Sequence, residues 1–279
     1  MSRRIPSPLK WHGGKSYLAS KIVAMMPPHI HYVEPFAGGL SVLLAKDPEG
    51  VSEVANDIYG LLAEFWRVIQ NEDFFPLFLR RCQGSPVSEE LWREKHDLEP
   101  RNFGSPVACA WAFFIHCRHS LAGRMQCFTP LSRNRTRGGM NEQASAWLTA
   151  VEGLPAVHAR LKRVVILNRD ALDVIRQQDG PQTLFYLDPP YLHETRAAKD
   201  AYEHEMTAEQ HCKLLNVLSG IKGKFLLSGY DNAHYDLAMK AHGWHRTDFD
   251  LPNNSAGGKA KQRMTECVWT NFEPISGAS

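Results

Sequence analysis

The segment Leu184-Phe185-Tyr186-Leu187-Asp188-Pro189-Pro190-Tyr191 leaves this chain little freedom in how it folds. Its apolar and aromatic run is too short for a helix and reads as a fully buried strand. Pro189 and Pro190 lack an N–H and have fixed φ, so the strand ends there. Asp188 is thereby set at the carboxyl end of a buried strand, where open α/β sheets place their ligands. An acceptor carboxylate, prolyl carbonyls free to accept hydrogen bonds and an aromatic ring stand side by side. That set suits a flat molecule carrying an exocyclic NH2. The tetrapeptide alone also allows a strand, a Pro-Pro turn and a helix cap at Asp188.

The 279 residues suffice for one large domain, or a domain with an insertion, around a sizeable core. Hydrophobic residues make up 43% and charged residues 22%, as in ordinary soluble globular proteins. The net charge is +2, so affinity for nucleic acid has to come from local clustering. The six cysteines show no C-x-x-C spacing. With no signal peptide and no apolar run long enough to span a bilayer, a reducing, cytoplasmic setting is expected.

Lys10-Trp11-His12-Gly13-Gly14-Lys15-Ser16 is a glycine-rich turn with an aromatic and a cation beside it. Gly14-Lys15-Ser16 ends like a phosphate-binding loop. That motif needs glycine where Leu9 stands, and a preceding strand, so the NTPase reading is rejected. A helix is expected over 16–26, then a strand from His31 to Phe36. Ala37-Gly38-Gly39 and an apolar helical stretch, Leu40 to Ala45, follow. Strand, glycine turn and helix open a nucleotide-binding crossover, or form a simple tight turn. Val51 to Asp57 is the second strand. An acid at its end suits ribose hydroxyls, and Asp57 could equally cap a helix starting near Tyr59.

From 59 to 117 the pattern is helical. Leu61, Leu62, Phe65, Val68, Ile69, Phe74, Leu77, Phe78, Ala108, Trp111, Ala112 and Ile115 read as core. The β–α alternation is interrupted, so 60–160 reads as a mostly helical insertion. Within it, 116–140 carries Arg118, Arg124, Arg133, Arg135 and Arg137 without one Asp or Glu. Ser120, Asn134 and other small polar residues fill the gaps. Arginine matches guanine edges and grips phosphates, so this is either a DNA-facing loop or a solvated basic one. His116, Cys117 and His119 lack a second ligand pair, and no metal site is assigned.

Helix 144–162, strand Val164 to Asn168 and a helix to Gln178 follow, with Asp170 again at a strand's carboxyl end. After Asp188, residues 192–204 are polar and form a candidate lid. Thr207 and Gln210 are spaced as a capping box for a helix through Leu218. A strand Lys224 to Tyr230, a helix Ala233 to Ala241, and strands Trp244 to Leu251 and Met264 to Phe272 complete the pattern. The last two flank a long hairpin carrying Lys259 and Lys261.

Four of these segments, in this order, resemble the Dam-like, D12-class adenine-N6 DNA methyltransferases of the α arrangement, phage and prophage members included. Lys10 to Lys15 is similar to their N-terminal cofactor motif and Glu34-Pro35-Phe36-Ala37-Gly38-Gly39 to their cofactor loop. Asn56-Asp57 matches the acid of the second strand, and Asp188-Pro189-Pro190-Tyr191 the catalytic tetrapeptide. The resemblance implies an α/β fold: a Rossmann-like methyltransferase sheet with a C-terminal antiparallel hairpin and an inserted helical target-recognition domain. Residues 1–59 and 161–279 would form the catalytic domain, and 60–160 the insertion. S-adenosylmethionine would be held by Trp11, Lys15, Asp57 and Asp188, with Glu34 to Gly39 and Asp170 beside it. Double-stranded DNA would meet Lys10, Arg118, Ser120, Arg124, Arg133, Asn134, Arg135, Arg137, Lys259 and Lys261. The Asn-Gly and Phe-Asn-Val-Pro segments usual in GATC-specific members are absent, so GATC specificity does not carry over. A monomer or weak dimer in a bacterial cytoplasm, phage- or prophage-encoded, is expected. The implied reaction is methylation of a flipped adenine, with Tyr191 stacked on the base and Asp188 and the Pro189 carbonyl accepting the N6 hydrogens.

Overall fold

The computed structural model describes residues 4–94, 104–131, 133–191, 205–252 and 263–274. The stretch 192–204 and the hairpin tip with Lys259 and Lys261 lie outside the described residues. In chain order the elements are α1 (Ala19–Met25), β1 (His31–Glu34), β2 (Ser52–Asn56), α2 (Gly60–Gln70), α3 (Phe74–Gln83), α4 (Glu89–Glu94) and α5 (Pro106–His119). There follow β3 (Thr136–Arg137), β4 (Met140–Asn141), α6 (Glu142–Leu161), β5 (Val164–Leu167), α7 (Ala171–Gln178) and β6 (Thr183–Leu187). The last are α8 (Ala208–Ser219), β7 (Lys224–Tyr230), α9 (Ala233–His242), β8 (His245–Pro252) and β9 (Arg263–Thr270).

The backbone divides into two compact units. One comprises Met1–Tyr17, Gly38–Asp47 and Tyr59–Ile166; the other comprises Leu18–Ala37, Pro48–Ile58 and Leu167–Ser279. The helical unit is thus wider than residues 60–160, since the N-terminal turn and the segment after Ala37 pack with it. Trp66 Nε1 donates to the Gly38 carbonyl at 3.1 Å, and Arg160 donates to the Leu43 carbonyl at 3.0 Å.

The strand order is β5-β2-β1-β6-β7-β9-β8. β1 runs parallel to β2 and β6, and β6 parallel to β7. β9 is antiparallel to both β7 and β8. This mostly parallel α/β sheet with a terminal antiparallel hairpin agrees with the sequence pattern. Its core joins Val33, Phe185, Leu187, Phe225, Leu227 and Trp269 to Val174, Ile175, Leu214, Leu218 and Tyr235. The capping box at α8 forms as expected: Gln210 N donates to Thr207 Oγ1, and Thr207 N to Gln210 Oε1.

The helix expected over Leu40 to Ala45 does not form; hydrogen-bonded turns stand there. Leu40 has φ 54°, which a helix cannot contain, and Pro48 closes the segment soon after. In α3 the buried side chains are Phe75, Phe78 and Cys82, whereas Phe74 and Leu77, expected in the core, are exposed.

In the helical unit α5 is buried nearly all round, because other helices cover it on most sides. Ser105 caps it and Pro106 opens it. His119, near its end, is 2% exposed, and neither ring nitrogen has a hydrogen-bond partner. Burial, with Arg118, Lys10 and His116 nearby, lowers its pKa to about 4. The unfolded chain therefore binds this proton between pH 6.5 and about 4 while the folded chain refuses it. Stability conferred by neutral His119 is complete above pH 6.5 and falls by about 3 kcal/mol towards pH 4. Urea unfolding of wild type and His119→Phe at pH 7 and pH 4.5 checks this; the variant should show the smaller drop.

Among the described residues no helix is long and apolar enough to cross a membrane, and no three His, Cys, Asp or Glu side chains gather as a metal site requires.

Candidate active site

β1 and β6 lie side by side, and the sheet grows outward from them, to β2 on one side and β7 on the other. Such a divergence opens a crevice at the strands' carboxyl ends, the usual ligand site of an open α/β sheet. The register Val33↔Phe185 brings Glu34-Pro35-Phe36 alongside Tyr186-Leu187-Asp188.

Asp188 is half-buried there, outside the apolar interior of the sheet. Its Oδ1 lies 3.0 Å from the Tyr191 hydroxyl. The same hydroxyl is hydrogen-bonded to Glu266 Oε1 on β9. Tyr191 is 7% exposed, and its ring meets Tyr230 edge-on at 4.6 Å between centroids. Burial, then the Asp188 and Glu266 carboxylates, push the Tyr191 hydroxyl well above its ordinary pKa, so it keeps its proton.

The two prolyl carbonyls differ. Pro190 O accepts from His211 Nε2 at 3.0 Å, so it is not free as the sequence suggested. A carbonyl only accepts, which puts a hydrogen on Nε2; Nδ1 is hydrogen-bonded to the Tyr235 hydroxyl, 2.9 Å away. The Pro189 carbonyl accepts from none of the described residues.

At the end of β2, Asn56 is a clamp. Its Nδ2 donates to Pro35 O at 2.9 Å and Arg169 O at 3.0 Å, and its Oδ1 accepts from Arg169 N at 3.0 Å. It is 1% exposed, and its carbonyl accepts from Ala37 N at 2.8 Å. This one amide ties the loops after β1 and β5 to β2. Asp57 follows, half-buried. It does not cap α2, which begins after Tyr59 without a side-chain cap.

Glu34 is 1% exposed and accepts from the Tyr32 hydroxyl at 2.7 Å. Phe36 packs against the sheet core, and Ala37 is buried. Asp170 caps α7, accepting from Leu172 N at 2.8 Å and Asp173 N at 3.3 Å.

Trp11, Lys15, Gly38 and Gly39 belong to the helical unit. A Cβ on Gly38 would stand 2.9 Å from Trp11 Nε1, and one on Gly39 3.0 Å from Trp11 Cβ. The two glycines thus admit the indole. Lys15 is buried and donates to Gly13 O at 2.9 Å.

Of the residues expected at DNA, Arg133, Asn134, Arg135 and Arg137 are exposed, on and before the β3–β4 ribbon. Arg135 lies 3.9 Å from Glu142. The ribbon turns through Gly138 and Gly139, both at positive φ (59° and 75°), as a tight hairpin requires. Arg124 is half-buried. Two of these residues are bonded inside the unit. Ser120 is 0% exposed, accepts from Trp92 Nε1 and donates to His116 O, so its side chain faces the interior. Arg118 is half-buried and donates to Ala146 O at 2.7 Å and Pro8 O at 3.4 Å, bracing the unit from within. Lys10 is half-buried and donates to Ser120 O at 2.9 Å.

The sequence reading missed Glu266, His211 and Tyr235. Glu266 is an acid directly before the buried run Cys267-Val268-Trp269, and His211 sits on the buried face of α8 with Leu214, Leu215 and Leu218. A polar residue beside apolar ones was the signal in both cases.

The profile of the D12 class of N6 adenine-specific DNA methyltransferases matches residues 11–248. The chain belongs to that family. A similar curated protein is the Type II methyltransferase M.CviBI of Paramecium bursaria Chlorella virus NC1A, 22% identical over 223 residues, which cover 78% of this chain and 80% of the relative. As a D12 enzyme the chain is an S-adenosylmethionine-dependent adenine-specific DNA methyltransferase. The residues present fit that methyl donor: Asp57 is a half-buried carboxylate at the end of β2, the position where an acid suits ribose hydroxyls.

Proposed function

We propose that this D12 enzyme transfers the methyl group of S-adenosylmethionine to N6 of an adenine extruded from duplex DNA at a specific sequence. The observation that carries the reading is Asp188: half-buried at the carboxyl end of β6, beside β1, where the sheet diverges.

N6 of adenine is a poor nucleophile, because its lone pair is delocalised into the ring. Inside a duplex it is unreachable, and extrusion costs about a few kcal/mol. Asp188 and the Pro189 carbonyl accept the two N6 hydrogens, which favours a pyramidal nitrogen with its lone pair available. Both bonds strengthen as positive charge develops on N6, which stabilises the transition state above the ground state. S-adenosylmethionine would supply an activated methyl on a sulfonium: the S–C bond breaks as the N–C bond forms, the neutral thioether leaves, and the methylated N6 gives one proton to solvent. Asp57 accepts from its ribose hydroxyls, with Asn56 fixing the backbone around it. Within the helical unit, Trp11, Lys15, Gly38 and Gly39 are proposed as cofactor residues. The exposed Arg133, Arg135 and Arg137 contact DNA, with Asn134 beside them.

The test is direct. Purified protein is incubated with unmethylated duplex DNA and S-adenosylmethionine, and the DNA is digested to nucleosides. N6-methyldeoxyadenosine is expected. N4-methyldeoxycytidine, or no methylated base, would overturn the proposal.

A further inference from the structure

We propose that Glu266 is a positioning residue for methyl transfer: it holds Tyr191, and through the Tyr191 hydroxyl it sets the orientation of the Asp188 carboxylate. This rests on the function proposed above and adds a residue to it.

Glu266 stands on β9, opposite Tyr230 of β7 in the antiparallel ladder. That register brings an acid from the terminal hairpin to the carboxyl end of the parallel sheet. Glu266 is 2% exposed, and burying a carboxyl group is costly unless it is bonded. Its Oε1 bonds the Tyr191 hydroxyl, which lies 3.0 Å from Asp188 Oδ1.

The phenol has one hydrogen. It can donate to one of the two acids, and it bonds the other only by accepting an O–H from it. The three groups thus form one shared-hydrogen unit, and the catalytic carboxylate is one end of it. Asp188 follows directly on β6 and precedes two prolines, so its backbone is stiff, but its side-chain torsions are not fixed by the chain. The hydrogen bond from the Tyr191 hydroxyl restrains them. The Tyr191 ring is itself pinned by the edge of Tyr230. Removing the Glu266 end leaves the phenol free to turn from Asp188. The loss then falls on the chemical step, which needs Asp188 aimed at N6, and not on binding of either substrate.

The experiment compares kcat at saturating S-adenosylmethionine and DNA for wild type, Glu266→Ala, Tyr191→Phe, the double variant and Glu266→Gln. Each of the first two single variants should lower kcat by about 10- to 100-fold, with KM for DNA and cofactor affinity within about threefold of wild type. The double variant should be no slower than the slower single one, because both changes break one unit. Glu266→Gln keeps a hydrogen-bonding group of the same length and should recover most of the loss seen in Glu266→Ala. A Glu266→Ala kcat within about twofold of wild type overturns the proposal, as do losses that multiply in the double variant. If Glu266→Ala does not fold, Glu266→Asp, one methylene shorter, takes its place in the cycle under the same criteria. An inactive wild type would overturn the proposed function itself. An active wild type with an unaffected Glu266→Ala would overturn only the role of Glu266.

Discussion

Asp188→Ala should abolish methyl transfer, lowering kcat by at least about a thousandfold, roughly 4 kcal/mol of transition-state stabilisation. DNA affinity should stay within about threefold of wild type, because phosphate contacts generally dominate DNA affinity and the arginines proposed to make them lie elsewhere. The size follows from position. In the proposed mechanism Asp188 is the side-chain acceptor at the sheet's point of divergence, and alanine would leave only the Pro189 carbonyl to meet the growing charge on N6. The substitution should fold, since Asp188 is half-buried and truncation there opens no cavity in the apolar core. Single-turnover rates and DNA binding measured on the same preparation decide the matter. Undiminished turnover would remove Asp188 from the mechanism.

Gly123→Ala should be among the most damaging single substitutions for stability. Gly123 has φ 70°, and a Cβ there would stand 1.7 Å from the Lys10 carbonyl oxygen and 2.7 Å from its carbon. The clash is with backbone, and that backbone is held. Lys10 Nζ bonds Ser120 O, Cys117 Sγ contacts Lys10 O at 3.3 Å, and Arg118 reaches Pro8 O. The loop is already unusual, with Ala122 at φ 53° and Met125 at φ 57°. Such positions persist only where surrounding structure enforces them. A loss of about 3 kcal/mol or more is expected, read by chemical denaturation of the helical unit. Gly153 is the control. It lies inside α6 with nothing within 4 Å of its would-be Cβ, so Gly153→Ala should stabilise by up to about 1 kcal/mol. Equal effects at the two sites would refute the steric argument.

Local chemistry made much of this protein readable. The β6 run, its proline stop and Asp188 at its end follow from periodicity and proline geometry alone, and the alternation of strands and helices ending in two strands pointed to a mostly parallel sheet with a terminal hairpin. The Thr207/Gln210 cap is likewise a matter of four adjacent residues. Leu40 to Ala45 misled because its apolar spacing is helical, while its first residue adopts a left-handed backbone that the spacing does not record. For Arg118 and Ser120, composition marks a basic, polar stretch but not which way each side chain turns. The two lie at the end of a helix buried on nearly every side, so the arginine braces carbonyls and the serine faces inward.

What tertiary structure alone decided is which distant residues share a hydrogen bond. Tyr191 and Glu266 are 75 positions apart, and Pro190 and His211 are 21 apart. Sequence determines strands, stops and caps, because those depend on torsions and neighbours within a few residues. The partner of a buried acid or a prolyl carbonyl depends on strand order and register. Those emerge only when the whole sheet closes its core.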